Sequence, residues 1–411
     1  MKRTLYIALG LAALTPAFAR KNNTADSATT EPAGKMVMSG YVDTYFFKNL
    51  NNPLSGGNAT NSGFERIFDQ KEGQFQLGLV QTKFAYSTSK AEAVVDLTFG
   101  PNADLGNYGN YNSLNLLKTA NNSDITSTAL AIKQAYLTYK ITSKLSATAG
   151  LFGTHIGYEV IDAPVNYNYS LSNLFGNGPF YHLGAKATYA FSDKLSLMGG
   201  VVNNWDNNFD NNRYKTVISQ LFVSPAKGWN VYLNWIGGYE DSPVDDTLAS
   251  QPIAYKVASK QKALKHMFDL TTGYQITDKF YMGLNGAIGF YTKQGDGTET
   301  KNWGGVALYS NYAITSMFGI GVRGEYFDNT QGVQYLKNHK VGPNPVGTDV
   351  TSITVTPTLT LDNGHLLLKP EFRIDSYKKM GIDGGEQLED KDGAFTKSSQ
   401  STFGMSAVYK F

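Results

Sequence analysis

The connections between segments restrict this chain more than the segments themselves. About sixteen stretches, each long enough to span a bilayer as a tilted strand, alternate apolar and polar side chains. Phe318, Ile320, Val322 and Tyr326 alternate with Gly319, Gly321, Arg323 and Glu325. Leu366, Leu368, Pro370, Phe372 and Ile374 alternate with Leu367, Lys369, Glu371, Arg373 and Asp375. The expected strands cover 36–48, 73–87, 90–99, 130–142, 144–154, 179–191, 194–205 and 214–224. They continue over 227–238, 264–276, 279–292, 302–314, 317–328, 351–361, 364–376 and 401–411. The phase of the first, second and eighth is ambiguous, and counts of 12–18 strands are compatible with the pattern.

Connection lengths then sort by parity. Every second link is minimal, such as Ser143, Ser192-Asp193, Pro225-Ala226, Thr277-Asp278, Thr315-Ser316 and Asp362-Asn363. Most of the others are long: 49–72, 100–129, 155–178, 239–263, 329–350 and 377–400, with only 206–213 and 293–301 shorter. A soluble sandwich has no reason to separate long from short in this way. A transmembrane barrel has one, because short turns face the periplasm and long loops the outside. The expected fold is therefore all-β, a closed antiparallel transmembrane β-barrel of about 16 strands.

A repeat marks the short-turn end. Tyr139-Lys140-Ile141-Thr142-Ser143-Lys144 recurs as Tyr189-Ala190-Phe191-Ser192-Asp193-Lys194 and Tyr274-Gln275-Ile276-Thr277-Asp278-Lys279. Tyr312-Ala313-Ile314-Thr315-Ser316 is a looser copy. A tyrosine at this position puts its ring at the lipid boundary and its hydroxyl among headgroups. The chain closes on Phe403, Met405, Ala407, Tyr409 and Phe411, one apolar face ending in phenylalanine. That ending implies recognition by outer-membrane assembly machinery through the last strand.

Ahead of the strands, Lys2, Arg3, the apolar run Leu5 to Leu14 and Ala17-Phe18-Ala19 have the layout of a cleaved signal peptide. The run is too short to span hydrocarbon as a helix, which takes about 20 residues. The expected organisation is a signal peptide over 1–19, a flexible periplasmic lead-in over 20–35 and a barrel over 36–411. Localisation in a bacterial outer membrane follows. Removing Lys2 and Arg3 takes the formal charge from +2 to 0, which argues against a nucleic-acid partner. The absence of Cys excludes thiol and Cys-metal chemistry.

A barrel of this width leaves a lumen that side chains alone do not fill. By phase, Glu92, Asp96, Lys186, Asp269, Arg323, Glu325, Lys369, Glu371, Arg373 and Asp375 point inward. Opposed charges there either set up a transverse field in a constriction or simply pair. Tyr232, Tyr281, Tyr291 and Tyr309 also face inward and would suit stacking of sugars. The connection after Gly153 is apolar and aromatic for a surface loop, which leaves two readings open. Either it folds into the lumen, where Glu159 and Asp162 narrow the pore, or it caps the outer mouth.

Short motifs in this region resemble a known family. Gly150-Leu151-Phe152-Gly153, Ile156-Gly157-Tyr158-Glu159 and Asn166-Tyr167-Asn168-Tyr169-Ser170 look like the OmpL-like β-barrel porins of Bacteroidetes. Pro179-Phe180-Tyr181-His182-Leu183-Gly184 and Val202-Asn203-Asn204-Trp205-Asp206 extend the resemblance. It implies an outer-membrane porin for passive diffusion of small hydrophilic solutes, with membrane lipid and solutes as partners and no catalytic residues. A solute-selective channel and a non-conducting adhesion barrel are the other readings. No subunit interface is legible, so a homo-oligomer stays open.

No enzyme activity and no cofactor are expected. His155, His182, His266, His339 and His365 form no HExxH motif, and no Gly-x-Ser-x-Gly elbow occurs. Asp383, Glu386, Glu389, Asp390 and Asp392 cluster in one loop, and Asp241, Asp245 and Asp246 in another. Oxygen ligands of this kind hold Ca²⁺, but the spacing is not that of an EF-hand.

Overall fold

The computed structural model describes residues 34–60, 63, 64, 66, 68–106, 131–206, 208, 210, 214–240, 262–294, 299–333, 337, 338, 346–378 and 388–411. Sixteen strands close into one antiparallel barrel. They are β1 (Lys35–Asn49), β2 (Phe75–Ser87), β3 (Ala91–Phe99), β4 (Ile132–Lys140), β5 (Leu145–Gly153) and β6 (Tyr181–Ser192). Then follow β7 (Leu195–Val202), β8 (Thr216–Ala226), β9 (Trp229–Tyr239), β10 (Lys262–Gln275) and β11 (Phe280–Gln294). The last are β12 (Glu299–Ala313), β13 (Phe318–Asp328), β14 (Asp349–Leu361), β15 (Leu366–Tyr377) and β16 (Ser399–Lys410). Each strand pairs with its sequence neighbours, and β1 closes on β16 from Tyr41↔Lys410 to Asn49↔Thr402. Gly40 and Phe411 exchange both backbone hydrogen bonds at the foot of that seam.

Alternation decides which way each side chain faces. In β16, Phe403 is 57% exposed on the outer face, whereas neighbouring Thr402 is 2% exposed on the inner one. Met405, Tyr409 and Phe411 share the outer face, as their period of two requires. The four turn-end tyrosines, Tyr139, Tyr189, Tyr274 and Tyr312, all stand on the lipid side.

The turn repeat has a hydrogen-bond cause. At five of the short turns a Thr or Ser hydroxyl accepts a backbone N–H two or three residues on. Thr88 takes Ala91 N–H, Thr142 takes Leu145, Thr277 takes Phe280 and Thr315 takes Phe318, while Ser192 takes Lys194. One expected turn is displaced. Pro225-Ala226 belongs to the end of β8, behind a register shift between Val223 and Ala226, and the chain reverses at Lys227-Gly228. Gly228 supplies the positive φ of 79° that the reversal needs. The turn after β14 uses Asp362, Asn363 and Gly364, all at positive φ, as Asp and Asn tolerate better than most residues.

Two of the long connections build on one another. Ala59–Thr60, Gly63–Phe64, Leu388–Glu389 and Phe395–Lys397 form a small four-stranded sheet that joins the first long connection to the last. Glu389 accepts from Ser55 N–H across that junction, and Asp390 accepts from Ala394 N–H and Asp392 N–H. Among the described residues no group of three or more metal-ligating side chains is brought together. Asp383, Glu386, Asp241, Asp245 and Asp246 lie outside the described residues, as do residues 1–33 with the expected signal and nearly all of the lead-in.

The seam between β1 and β16 has no room for an added side chain at Gly404, where a Cβ would collide with Phe46 O and the Phe47 ring. Gly404→Val should destabilise the barrel by roughly 1–3 kcal/mol. The measurement is the temperature at which the unboiled, fast-migrating band is lost on a denaturing gel. A band as heat-resistant as wild type would show that the seam can widen.

Candidate functional site

Residues 154–180, between β5 and β6, run through the barrel interior. The segment has little regular structure beyond a short helical turn at Asn173–Gly176, so its backbone groups need partners from elsewhere. The inward faces of β13 and β15 supply them. Glu371 accepts the N–H groups of Tyr169 and Ser170, and Glu325 accepts those of Asn173 and Leu174. The cations take the carbonyls. Lys369 donates to Ala163 O at 2.9 Å and to Asn166 O at 2.6 Å, Arg323 to Ser170 O and Arg373 to Leu171 O.

Side chains of the segment add a second set of contacts. Glu159 pairs with Arg323 at 2.5 Å, both fully buried, and also accepts Ser172 N–H at 2.8 Å. Asp162 reaches the far wall, where it binds Lys133 and accepts from Gln81 and the Tyr41 hydroxyl. Gly157 N–H binds Asp269, which also accepts from Asn234 and Asn285. Asn168 donates to Thr356, and the Tyr169 hydroxyl donates to Asp43. Burial first, then the charge of Asp43, pushes the Tyr169 phenol well above its ordinary value, so it stays a donor.

Aromatic packing completes the seat. Tyr158 stacks on Tyr309 at 4.1 Å and donates to the Tyr281 hydroxyl. Tyr167 packs against Tyr281 at 5.4 Å. Glycines on the wall make this possible, since a Cβ at Gly283 would collide with the Tyr158 ring. Two of the tyrosines expected to face solutes, Tyr281 and Tyr309, are thus covered by tyrosines of the segment. Tyr232 keeps partial exposure.

All ten inward-facing charges expected from phase do point into the lumen. Eight of them, Asp96, Asp269, Arg323, Glu325, Lys369, Glu371, Arg373 and Asp375, are buried. Glu92 and Lys186 keep partial exposure. Of the two carboxylates expected in the segment, Glu159 is buried against Arg323, and Asp162 stays partly open beside Lys133.

Sequence reasoning missed three participants. Arg66 enters from the first long connection to bind Asp69, Asp375 and Thr402. Asp43 lies in β1 near a register shift between Val42 and Thr44, where phase cannot be read. Lys133 is the extra residue of a bulge opposite Asp96/Leu97, which turns it inward beside Gln134. The only signal for any of them was the charge itself.

A family model described as "Putative beta-barrel porin-2, OmpL-like" matches residues 35–411. The chain belongs to this porin family. It is an integral outer-membrane β-barrel, and the lumen segment is a porin's loop lying inside its own channel. Solved structures share the fold. The outer membrane channel DcaP of Acinetobacter baumannii aligns over 92% of this chain and 98% of its own, at 10% identity and a TM-score of 0.57. An anion-selective porin from Comamonas acidovorans aligns over 92% and 100%, at 9% identity and 0.55. The trimer form of OmpT from Vibrio cholerae aligns over 92% and 100%, at 12% identity and 0.53. No curated protein matches the chain.

Two outcomes follow for this porin. Arg323→Met strands Glu159 in a buried site and should cost about 3–5 kcal/mol, whereas adding Glu159→Leu should recover much of the loss. Thermal melts of the single and double variants in detergent test this, and a double variant no better than the single would refute the pairing. The second concerns acid. Burial pushes the His155 imidazole, at the root of the loop, from 6.5 down to about 4, against a weaker upward pull from its bond to Trp235 O. The seated loop therefore binds fewer protons than the released one between those two values. Its stability is complete above about pH 6.5, falls as the pH drops, and levels off below about 4. His155→Asn should lose less melting temperature than wild type between pH 7 and 5; equal losses would sink this account.

Proposed function

We propose that the protein is a general diffusion porin whose aperture is set by residues 154–180. The observation that carries this reading is the lining of the barrel. The loop's backbone is hydrogen-bonded to charged side chains of β13 and β15, while the opposite wall keeps inward side chains with partial exposure. These include Lys83, Glu92, Lys133, Thr148 and Lys186. Small hydrophilic solutes would pass along that wall, between it and the loop. Opposed Asp162 and Lys133 would sit at the narrowest level, where charge acts most strongly on a permeating ion.

In this reading the protein performs no chemistry and needs no cofactor. Export through a cleaved signal over residues 1–19, and a source among Bacteroidetes, are part of the same proposal. So is delivery of the last strand, ending in Phe411, to the outer-membrane assembly machinery. The trimer form named for the Vibrio cholerae neighbour supports a homo-oligomer here.

The test is reconstitution of purified protein in planar bilayers. Wild type should give stable single-channel steps, and deletion of 159–170 should raise their conductance at least about twofold by widening the water path. Equal conductance with and without the loop would refute its role as the constriction. No steps from either protein would refute the diffusion reading.

A further inference from the structure

Lys186, in β6, is an inward-facing lumen cation with no ion pair among the described residues. It keeps partial exposure, and among the described residues no carboxylate lies within ion-pair distance of its Nζ. Its described contact is the face of the Phe152 ring, 4.3 Å from the ring centre. Other inward cations are taken: Lys133 by Asp162, Arg323 by Glu159, Arg373 by Asp375, and Lys369 by two loop carbonyls. Lys83 makes no ion pair among the described residues but stands in register with Asp96, whereas Lys186 has Thr148 and Gly200 opposite it and no carboxylate.

What surrounds Lys186 donates hydrogen bonds or carries no negative charge. Thr148 of β5 is its direct cross-strand partner, and Thr138 of β4 stands beyond with its hydroxyl 2.9 Å from that of Thr148. On the other side Gly200 of β7 leaves space, since a Cβ there would lie 2.7 Å from Lys186 Cβ. The titratable groups packed above are His155 and His182, whose rings are 5.7 Å apart and which are neutral or cationic in any protonation state. The nearest wall carboxylates face elsewhere. Asp96 is held by Gln81, Gln134 and Lys133, and Asp269 by Asn234, Asn285 and Gly157 N–H. Glu92 lies three strands away, in register with Thr138.

We propose that Lys186, with the hydroxyl of its cross-strand partner Thr148, forms an anion-binding station on the open wall of the lumen, and that it favours small anions over cations in transit. The Lys186 ammonium, with the Thr148 hydroxyl on the next strand, offers an anion replacement for part of its hydration shell, and the carboxylate in the same cross-strand row, Glu92, stands three strands away beyond Thr138. A cation at the same place meets only repulsion. The proposal rests on the diffusion reading above, whose failure is distinguishable from its own.

Reversal potentials in a KCl gradient measure it. Lys186→Gln should lower the chloride-to-potassium permeability ratio about threefold and Lys186→Glu about tenfold, the effect of one or two unit charges within several ångströms of a hydrated path. Lys186→Arg should keep the wild-type ratio. Millimolar inorganic phosphate should slow chloride current through wild type and not through Lys186→Gln. Heat-shifted gel bands establish that each variant is folded, and the Gln variant carries the test where Glu does not fold. Conducting Gln or Glu variants with the wild-type ratio would overturn the station, whereas a wild type without conductance would remove the porin reading itself.

Discussion

Everything in this molecule depends on the cost of an unpaired backbone group in hydrocarbon, which is several kcal/mol for each N–H or C=O. That cost forbids an open sheet edge within the membrane, so the pairing of β1 with β16 is a requirement and not a decoration. Closing sixteen strands then fixes a width that side chains cannot fill. The width creates the interior into which a loop can fold, and the same accounting applies there. A non-helical, non-strand segment in the lumen carries its own polar backbone, which water or wall side chains must satisfy.

The charged ladder answers that second requirement. Four loop N–H groups go to two carboxylates, Glu325 and Glu371, and four carbonyls go to Lys369, Arg323 and Arg373. Acceptors and donors alternate along β15 because the loop presents both kinds of group as it passes. Charge-assisted bonds are the stronger class, and the surrounding aromatic rings exclude water that would compete for them. Mixed charge on an inner wall is therefore the complement of a peptide backbone here, and only Glu92 and Lys186 of the ten keep contact with solvent.

The barrel was legible in the sequence because alternation and loop parity are both direct consequences of a membrane. Each of the sixteen expected strands has a counterpart, with ends shifted by a few residues where a bulge or a Gly turn intervenes, as at Gly228. The inward charges were legible for the same reason. Their partners were not, since Glu159 and Arg323 are 164 positions apart and join only through the path of the loop. Asp43 and Lys133 sit at irregularities, where a period of two misassigns the face. Arg66 comes from a connection with no period at all.

The positions of those irregularities explain the asymmetry of the lumen. The bulge at Lys133 puts two consecutive side chains, Lys133 and Gln134, on the inner face of β4, so the wall there can reach across to the loop's tip at Asp162. On β5 to β7 the inner face carries the small or hydroxylated residues Gly150, Thr148, Gly184 and Gly200 next to the buried Phe152, His182, Met198 and Val202. The loop is thus bound through charged groups at its tip and along β13 and β15, whereas towards β5 to β7 it is held by the Thr154–His182 bond and by the apolar cluster of Ile156 and Leu174 with Phe152, Met198 and Val202. Space for solute is left beside the short side chains, and Lys186 stands there without an ion pair among the described residues.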